Sequence, residues 1–299
     1  MKVLVTGSSG FIGTNLVKFL RKKGIKVITT LSSINKFDIK KRKDVLNLPK
    51  VEVVVHLAAI ASVPLSWEKP KTVLETNIIG TLNILEYCGK HKAKIIYLNS
   101  YPYGGSCKLP SDEEEPVSGN NPYAVSKIAA EMLCRSFSSK DGFDGISFRA
   151  FNVYGPGQPN RLLISQLIGD LLSKSEITIL SGKPKRDYVY TDDLSNAIYL
   201  GIIDKKRGFS IYNIGFGKSW SVLEIVQKLE KLAGKDLPII DKGLDRPNEI
   251  MDTVADISKV KKELGWKPKT DINEGLKKTY EWFKDRRNHS QLPAARIGK

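Results

Sequence analysis

Val3-Leu4-Val5-Thr6-Gly7-Ser8-Ser9-Gly10-Phe11-Ile12-Gly13 stands at the head of the chain and decides its fold. Lys2 to Thr6 reads as a buried strand. Phe11 to Lys23 reads as a helix, with Phe11/Ile12, Asn15/Leu16 and Phe19/Leu20 at helical spacing and Gly24 as its stop. Three glycines fill the turn between them. Gly7 permits the tight turn. Gly10 lets a pyrophosphate approach the free N–H groups and positive end of the helix, and Gly13 lets the helix lie against the strand. A glycine triplet alone is weak, and a turn without a ligand is the plain alternative. Strand before and amphipathic helix after make this a dinucleotide-binding turn, with Ser9, Phe11 and Ile12 beside the glycines as cofactor-binding candidates.

Working outward, strands are expected over 25–30, 51–57, 94–99 and 146–149, and helices over 71–90 and 122–139. The run 51–57 is apolar almost throughout, as a strand buried on both faces requires. Alternating strands and helices predict an α/β fold with a doubly wound parallel sheet. After about residue 155 the pattern changes. A helix at 160–174, short β pieces near 177–180 and 186–190, and helices near 192–203, 221–233, 256–264 and 273–285 follow. Residues 1–155 are therefore read as the dinucleotide-binding domain and 156–287 mainly as a smaller C-terminal α/β substrate lobe. The chain is expected to return to the first domain around 186–213, and 288–299 to form a flexible tail.

Bulk properties narrow the class. The 299 residues are 41% hydrophobic and 27% charged, the range of a soluble globular protein rather than a disordered chain. No apolar run is long enough to span a membrane. The strand begins at once after Met1, which leaves no room for a signal peptide and predicts a cytoplasmic protein. Cys88, Cys107 and Cys134 are odd in number and widely spaced, and His56, His91 and His289 are scattered. Neither a disulfide framework nor a metal site is expected. The net charge of +16 raises the question of nucleic acid, but the lysines are spread along the chain and no nucleic-acid module is present. The basic balance reads instead as a solvated surface, compatible with an anionic small-molecule substrate.

Tyr123-Ala124-Val125-Ser126-Lys127 falls at the start of the helix predicted over 122–139. Spacing of four puts both functional side chains on one face. A nearby ammonium is expected to lower the phenol's pKa and make Tyr123 an acid/base. Such a pair is usually surface decoration; downstream of a dinucleotide turn it reads as catalytic.

At this point the chain resembles the extended short-chain dehydrogenases/reductases, specifically the NAD-dependent epimerase/dehydratase family acting on nucleotide sugars. The resemblance runs from Met1 to about residue 285. It rests on Gly7-x-x-Gly10-x-x-Gly13, His56-Leu57-Ala58-Ala59, Asn77-Ile78-Ile79-Gly80-Thr81, Tyr123-x-x-x-Lys127, Arg149-Ala150-Phe151-Asn152-Val153-Tyr154-Gly155-Pro156-Gly157, Arg186-Asp187-Tyr188-Val189-Tyr190-Thr191-Asp192-Asp193, Arg246-Pro247 and Leu264-Gly265-Trp266-Lys267-Pro268. It implies that Asp38 and Ile39 hold the adenine. It places Leu57, Ala58 and Ala59 along the pyrophosphate and nicotinamide, and Asn77 in support of the cofactor pocket. Lys127 would bond the nicotinamide ribose. Asn152, Arg186 and Arg246 fall where the family holds the substrate's diphosphate, a task suited to arginine's fixed fork of donors; surface ion pairing is the alternative for both arginines. The resemblance also implies a homodimer in which the helices 71–90 and 122–139 pair with their copies, the first offering Leu74, Ile78, Leu82 and Leu85.

Two stretches depart from the family pattern. Where an acidic residue would hold the adenosine ribose, the chain reads Ile28-Thr29-Thr30-Leu31-Ser32-Ser33, which with Lys36 leaves NADP open beside NAD. The family's catalytic Ser/Thr precedes a Tyr-Gly. In Leu98-Asn99-Ser100-Tyr101-Pro102-Tyr103-Gly104, counting back from Tyr103-Gly104 selects Asn99, and counting forward from the strand with one deletion selects Ser100. A hydroxyl can relay a hydrogen bond to Tyr123, whereas an amide can only polarise the substrate oxygen. No carboxylate follows, which disfavours a dehydratase. The leading expectation is a nucleotide-sugar 4-epimerase working through a transient 4-keto sugar. Its alternatives are an NAD(P)H-dependent 4-keto reductase of a nucleotide-linked deoxysugar and a non-catalytic dinucleotide sensor, against which the intact Tyr123/Lys127 pair argues.

Overall fold

The computed structural model describes residues 1–30, 37–103, 107–246 and 249–288. The readings on Leu31 to Ser33, Lys36, Gly104, Pro247 and the tail 289–299 lie outside these residues.

Eleven strands are described. They are β1 (Lys2–Thr6), β2 (Lys26–Thr29), β3 (Val53–His56), β4 (Lys94–Ser100), β5 (Gly145–Ala150), β6 (Asn152–Tyr154), β7 (Ile177–Ile179), β8 (Lys185–Tyr190), β9 (Phe209–Ile214), β10 (Ser219–Ser221) and β11 (Ile239–Asp241). The helices are α1 (Phe11–Lys22), α2 (Arg42–Leu46), α3 (Val63–Glu68), α4 (Pro70–Leu74), α5 (Gly80–His91), α6 (Pro122–Asp141), α7 (Leu163–Ser173), α8 (Thr191–Ile203), α9 (Val222–Ala233), α10 (Ser258–Leu264) and α11 (Ile272–Asn288).

Six strands form one parallel sheet in the order β2-β1-β3-β4-β5-β9. A parallel sheet needs both faces covered, and the two-residue strand period supplies apolar side chains to each. Val3, Val5, Val53 and Val55 meet Leu16, Leu20, Leu194 and Ile198 of α1 and α8. Leu4, Val54, Ile95 and Tyr97 meet Ile84, Leu85, Ala130 and Cys134 of α5 and α6. From β1 the chain passes to β2 on one side and returns to β3 on the other. The strand order therefore reverses at β1/β3, and the carboxyl ends of these strands border the crevice where such sheets take ligands.

The remaining strands pair elsewhere. β10-β8-β6 form one small sheet and β11-β7 another. They pack with α7, α9 and α11 around Leu167, Ile168, Leu171, Ile225, Leu229 and Leu276. In the segment 186–213, β8 belongs to this second assembly, whereas α8 packs on α1 and β9 closes the main sheet. The helix expected over 71–90 is broken into α4 and α5 by a π-helical turn at Glu75–Ile79. Leu85 faces the sheet and is fully buried, while Leu74, Ile78 and Leu82 are half-buried.

Candidate active site

The glycine turn is built by close approach. Gly7 has φ +67°, and a Cβ there would lie 2.7 Å from the Ala58 nitrogen; a Cβ at Gly13 would lie 2.2 Å from the Gly7 carbonyl oxygen. Gly10 caps α1 without any side-chain hydrogen bond, and the first turn of α1 carries no acidic residue. The buried Ser8 Oγ beside it has no hydrogen-bond partner. Uncapped N–H groups, an orphaned hydroxyl and room for backbone contact fit an anionic pyrophosphate. Ser9 and Gly10 are exposed, and Phe11, Ile12, Leu57, Ala58 and Ala59 are half-buried around the turn.

Beneath the turn, polar groups link β1, β3 and the first part of α5. The Ala58 N–H donates to Thr6 Oγ1 (3.2 Å), which meets His56 Nδ1 at 2.8 Å. His56 Nε2 meets Thr81 Oγ1 at 3.0 Å, and Thr81 donates to the Asn77 carbonyl at 2.6 Å. Because Thr81 spends its proton on that carbonyl, the His56 proton sits on Nε2. Burial holds His56 down to about 3, so it stays neutral. The π turn swings Asn77 inward. Its Oδ1 accepts from the Ile60 N–H (2.8 Å), and its Nδ2 donates to the Ile60 carbonyl (3.2 Å) and Ser126 Oγ (2.9 Å). Asn77 thus braces the loop after β3 against α6. Asp38 accepts from the Lys40 N–H, and Ile39 packs beneath Gly80.

Asn121 caps α6 through its side chain, which accepts from the Ala124 N–H at 2.9 Å, and Pro122 fixes the first turn. Tyr123 and Lys127 follow on the inner face. Lys127 Nζ donates to the Leu98 carbonyl at 2.7 Å and lies 4.2 Å from the centre of the Tyr97 ring. Burial brings Lys127 down to about 7. The expected lowering of Tyr123 is corrected. Burial pushes its phenol up to about 12, with a hydrogen bond to the Ser100 side chain acting in the opposite direction. Lys127 is engaged by Leu98 and Tyr97, and its own charge is weakened by burial.

Asn99 and Ser100 part company. The Ser100 hydroxyl meets Tyr123. Asn99 is buried, donating from Nδ2 to Glu131 Oε2 (2.9 Å) and accepting at Oδ1 from the Ser100 N–H (2.9 Å). Asn99 lies on the same face of β4 as Ile95 and Tyr97, towards α6.

On the other side of the crevice, Asn152 donates to the Asp187 carbonyl (3.1 Å) and is hydrogen-bonded to Tyr101. Arg186 is ion-paired with Glu249 and donates to the Ile250 carbonyl at 2.6 Å. Arg246 is exposed, three residues before Glu249. Tyr101 was passed over in the sequence, where it marked only the absence of a carboxylate. Its ring stacks on Phe151 (4.9 Å between centres) and lines a cavity of about 270 Å³ with Tyr103, Glu249 and Asp252. Glu131 and Arg149, a buried ion pair at 2.6 Å, were missed as well. The i, i+4, i+8 ladder Tyr123, Lys127, Glu131 was the available signal.

A parallel sheet with a glycine turn at its switch point and a buried Tyr–Lys helix beside it defines a dinucleotide-fold enzyme. The chain belongs to the NAD-dependent epimerase/dehydratase family, whose profile it matches over residues 3–215. It is 34% identical to a putative UDP-glucose 4-epimerase of Methanocaldococcus jannaschii, over 95% of this chain and 98% of that protein. Among solved structures it resembles the UDP-glucose 4-epimerase of Thermotoga maritima with UDP-glucose, at 31% identity and TM-score 0.89, covering 96% of this chain and all of the other. It also resembles MoeE5 in complex with UDP-glucuronic acid and NAD, at 30% identity and TM-score 0.89, with the same coverage.

Proposed function

We propose that this chain is an NAD-dependent 4-epimerase of a uridine diphosphate sugar. The observation that carries the reading is the meeting of Ser100 with Tyr123, one helical turn from buried Lys127, beside a glycine turn fit for a pyrophosphate. Activities named for its relatives support the same reading. NAD, when bound, supplies a hydride acceptor and donor. Gly7, Ser9, Gly10, Phe11, Ile12 and Gly13 would hold its pyrophosphate, Asp38 and Ile39 its adenine, and Leu57 to Ala59 and Lys127 its nicotinamide side.

The chain's own residues then manage the proton and the diphosphate. Tyr123 takes the proton of the sugar 4-hydroxyl and returns it after the 4-keto sugar has presented its other face. Ser100 hydrogen-bonds the same oxygen and the phenol, so the proton moves along a fixed line. The hydrogen bond from Ser100 favours the phenolate against the burial that opposes it. Asn152, Arg186 and Arg246 grip the diphosphate, with Arg186 exchanging Glu249 for the phosphate oxygens. We further infer an N-terminal dinucleotide domain with a C-terminal substrate lobe, a cytoplasmic homodimer, and tolerance of NADP as well as NAD.

Purified protein incubated with UDP-glucose is expected to form the 4-epimer without net consumption of added cofactor. Stoichiometric use of NADPH on a 4-keto sugar, with no epimer formed, would make it the reductase instead.

A further inference from the structure

We propose that Glu131 and Asn99 are positioning residues, Glu131 as the buried counter-ion that keeps Lys127 protonated and Asn99 as the clamp that seats Ser100 against Tyr123. The proposal rests on the epimerase reading above for its catalytic consequence, though not for the Glu131–Lys127 coupling itself.

The geometry begins with register. Tyr123, Lys127 and Glu131 are spaced by four along α6, so one helix face carries phenol, ammonium and carboxylate in sequence. Lys127 and Glu131 are both buried. The Glu131 carboxylate is fully engaged. Oε1 accepts from Arg149 (2.6 Å), and Oε2 accepts from Ser147 Oγ (2.5 Å) and Asn99 Nδ2 (2.9 Å). The far end of the Asn99 amide accepts the Ser100 N–H at 2.9 Å. Glu131 therefore reaches the phenol by two routes. One runs through Lys127, which shares the inner face of α6 with the phenol one turn away. The other runs through a single amide to the backbone of Ser100, whose hydroxyl meets Tyr123.

The groups around Lys127 leave Glu131 as the working anion. From β3 comes His56, held neutral by burial. From β4 come the Tyr97 ring and the Leu98 carbonyl, and Tyr97 is pushed well above the usual phenol range. From α6 itself come Tyr123, Cys134 and Glu131. Burial drives Lys127 down, while Cys134 and Glu131 act the other way. The Cys134 thiol is itself held well above its usual range and carries no charge near neutrality. Glu131 goes the opposite way: although burial works against it, Arg149, Ser147 and Asn99 hold its carboxyl below the usual value. Replacing a buried ion pair by apolar groups is often neutral for stability, so packing alone does not call for a carboxylate here. A lysine that must stay charged does.

The test uses the full chain labelled with ¹³C-lysine, following the Lys127 ε-methylene by NMR and assigning it by its loss in K127M. In E131Q the midpoint is expected to fall by about one pH unit, and in E131D to return towards wild type. The alkaline limb of kcat/KM for UDP-glucose should move with it. N99A should leave the Lys127 titration in place and lower kcat roughly tenfold to a hundredfold through misplacement of Ser100, with KM nearly unchanged. If E131Q does not fold, E131Q/R149M removes both charges together and should still lower the Lys127 midpoint, by less than E131Q, because Glu131 acts on Lys127 directly. An unmoved Lys127 titration in either variant, with only a lower Tm, overturns the role of Glu131. Unchanged kcat in N99A overturns that of Asn99. A shifted Lys127 titration in E131Q, with wild-type protein that forms no epimer from UDP-glucose, would overturn the functional reading and leave the Glu131–Lys127 coupling standing.

Discussion

Tyr123 sits in a conflict between burial, which pushes its phenol up to about 12, and the task of taking a proton near neutrality. Tyr123→Phe keeps the ring and removes the oxygen. Turnover is expected to fall by about 10²–10⁴-fold with NAD retention unchanged; activity above roughly a tenth of wild type would remove Tyr123 from the acid/base role. Ser100→Ala should fall nearly as far if its hydroxyl relays the proton. The one-residue ambiguity at Asn99/Ser100 could not be settled from spacing, because a deletion in the loop shifts the count. The period of β4 was legible, however, and it sets Asn99 with Ile95 and Tyr97 under α6. His56 makes a separate prediction for stability. Its folded pKa, about 3, lies below the unfolded value near 6.5, so the native state binds fewer protons between them. That contribution is fully present above about pH 6.5 and is lost as pH falls towards 3, by at most about 5 kcal/mol. Asp187, raised to about 6 by burial, has the opposite sign and gains stability as pH falls from 6 to about 4. Between pH 6 and about 4 the two offset one another, so urea titrations should show wild type nearly level there and weakening only at lower pH. His56→Gln should be less stable at neutrality and should gain stability over the same window, because the Asp187 contribution is then unopposed. The same slope in both proteins would remove His56 from the acid response.

At the scale of elements, the glycine turn makes the sharpest claim. A Cβ at Gly13 meets backbone atoms of Gly7 and Ser8, the nearest at 2.2 Å, and backbone cannot swing aside. Gly24 also has positive φ, +75°, but nothing lies within 4 Å of its would-be Cβ. Gly13→Ala is expected to cost about 3 kcal/mol or more through overpacking and to abolish dinucleotide binding. Gly24→Ala should cost only about 1–2 kcal/mol, the left-handed backbone penalty, and leave binding intact. Equal losses, read from urea midpoints and NAD titration, would mean that strand–helix packing does not constrain the turn. Long periodic elements such as α1, α6 and α11 were readable because a stripe of apolar residues needs several turns to declare itself. The π turn at Glu75–Ile79 was not, since one inserted residue leaves both flanking patterns helical. β6 and β10, three residues each, carry too little period to be read. β9 does not alternate, because Phe209 and Ile211 fall on one face and the buried Tyr212 and Ile214 on the other, and only its pairing with β5 makes it an edge of the main sheet.

For the whole molecule, the basic balance and the two-part pattern were visible in the chain, whereas the ion pair of Arg186 with Glu249 depends on a contact 63 residues apart and was not. Assembly is the property that remains to be tested. The inner face of α6 is spent on Lys127, Glu131 and Cys134. Its outer face shows Val125 and Met132 a heptad apart, 45% and 66% exposed, and Ile79 on the π turn is 44% exposed. Trp67 and Leu74 line a shallow hollow with Val125. Leu85, by contrast, is buried against the sheet and has nothing to offer a partner. The proposed homodimer therefore rests on Ile79, Val125 and Met132 rather than on the whole leucine stripe of 74–85. A standard interface removes about 800 Å² from each partner, and introducing a charge at its centre leaves a buried ion without a partner. Wild-type protein is expected to sediment as a dimer at micromolar concentration. Met132→Glu, alone or with Val125→Glu, should shift it to monomer with an unchanged circular dichroism spectrum. A dimer indifferent to both substitutions would put the interface on another face, and a wild-type monomer under the same conditions would remove the dimer altogether.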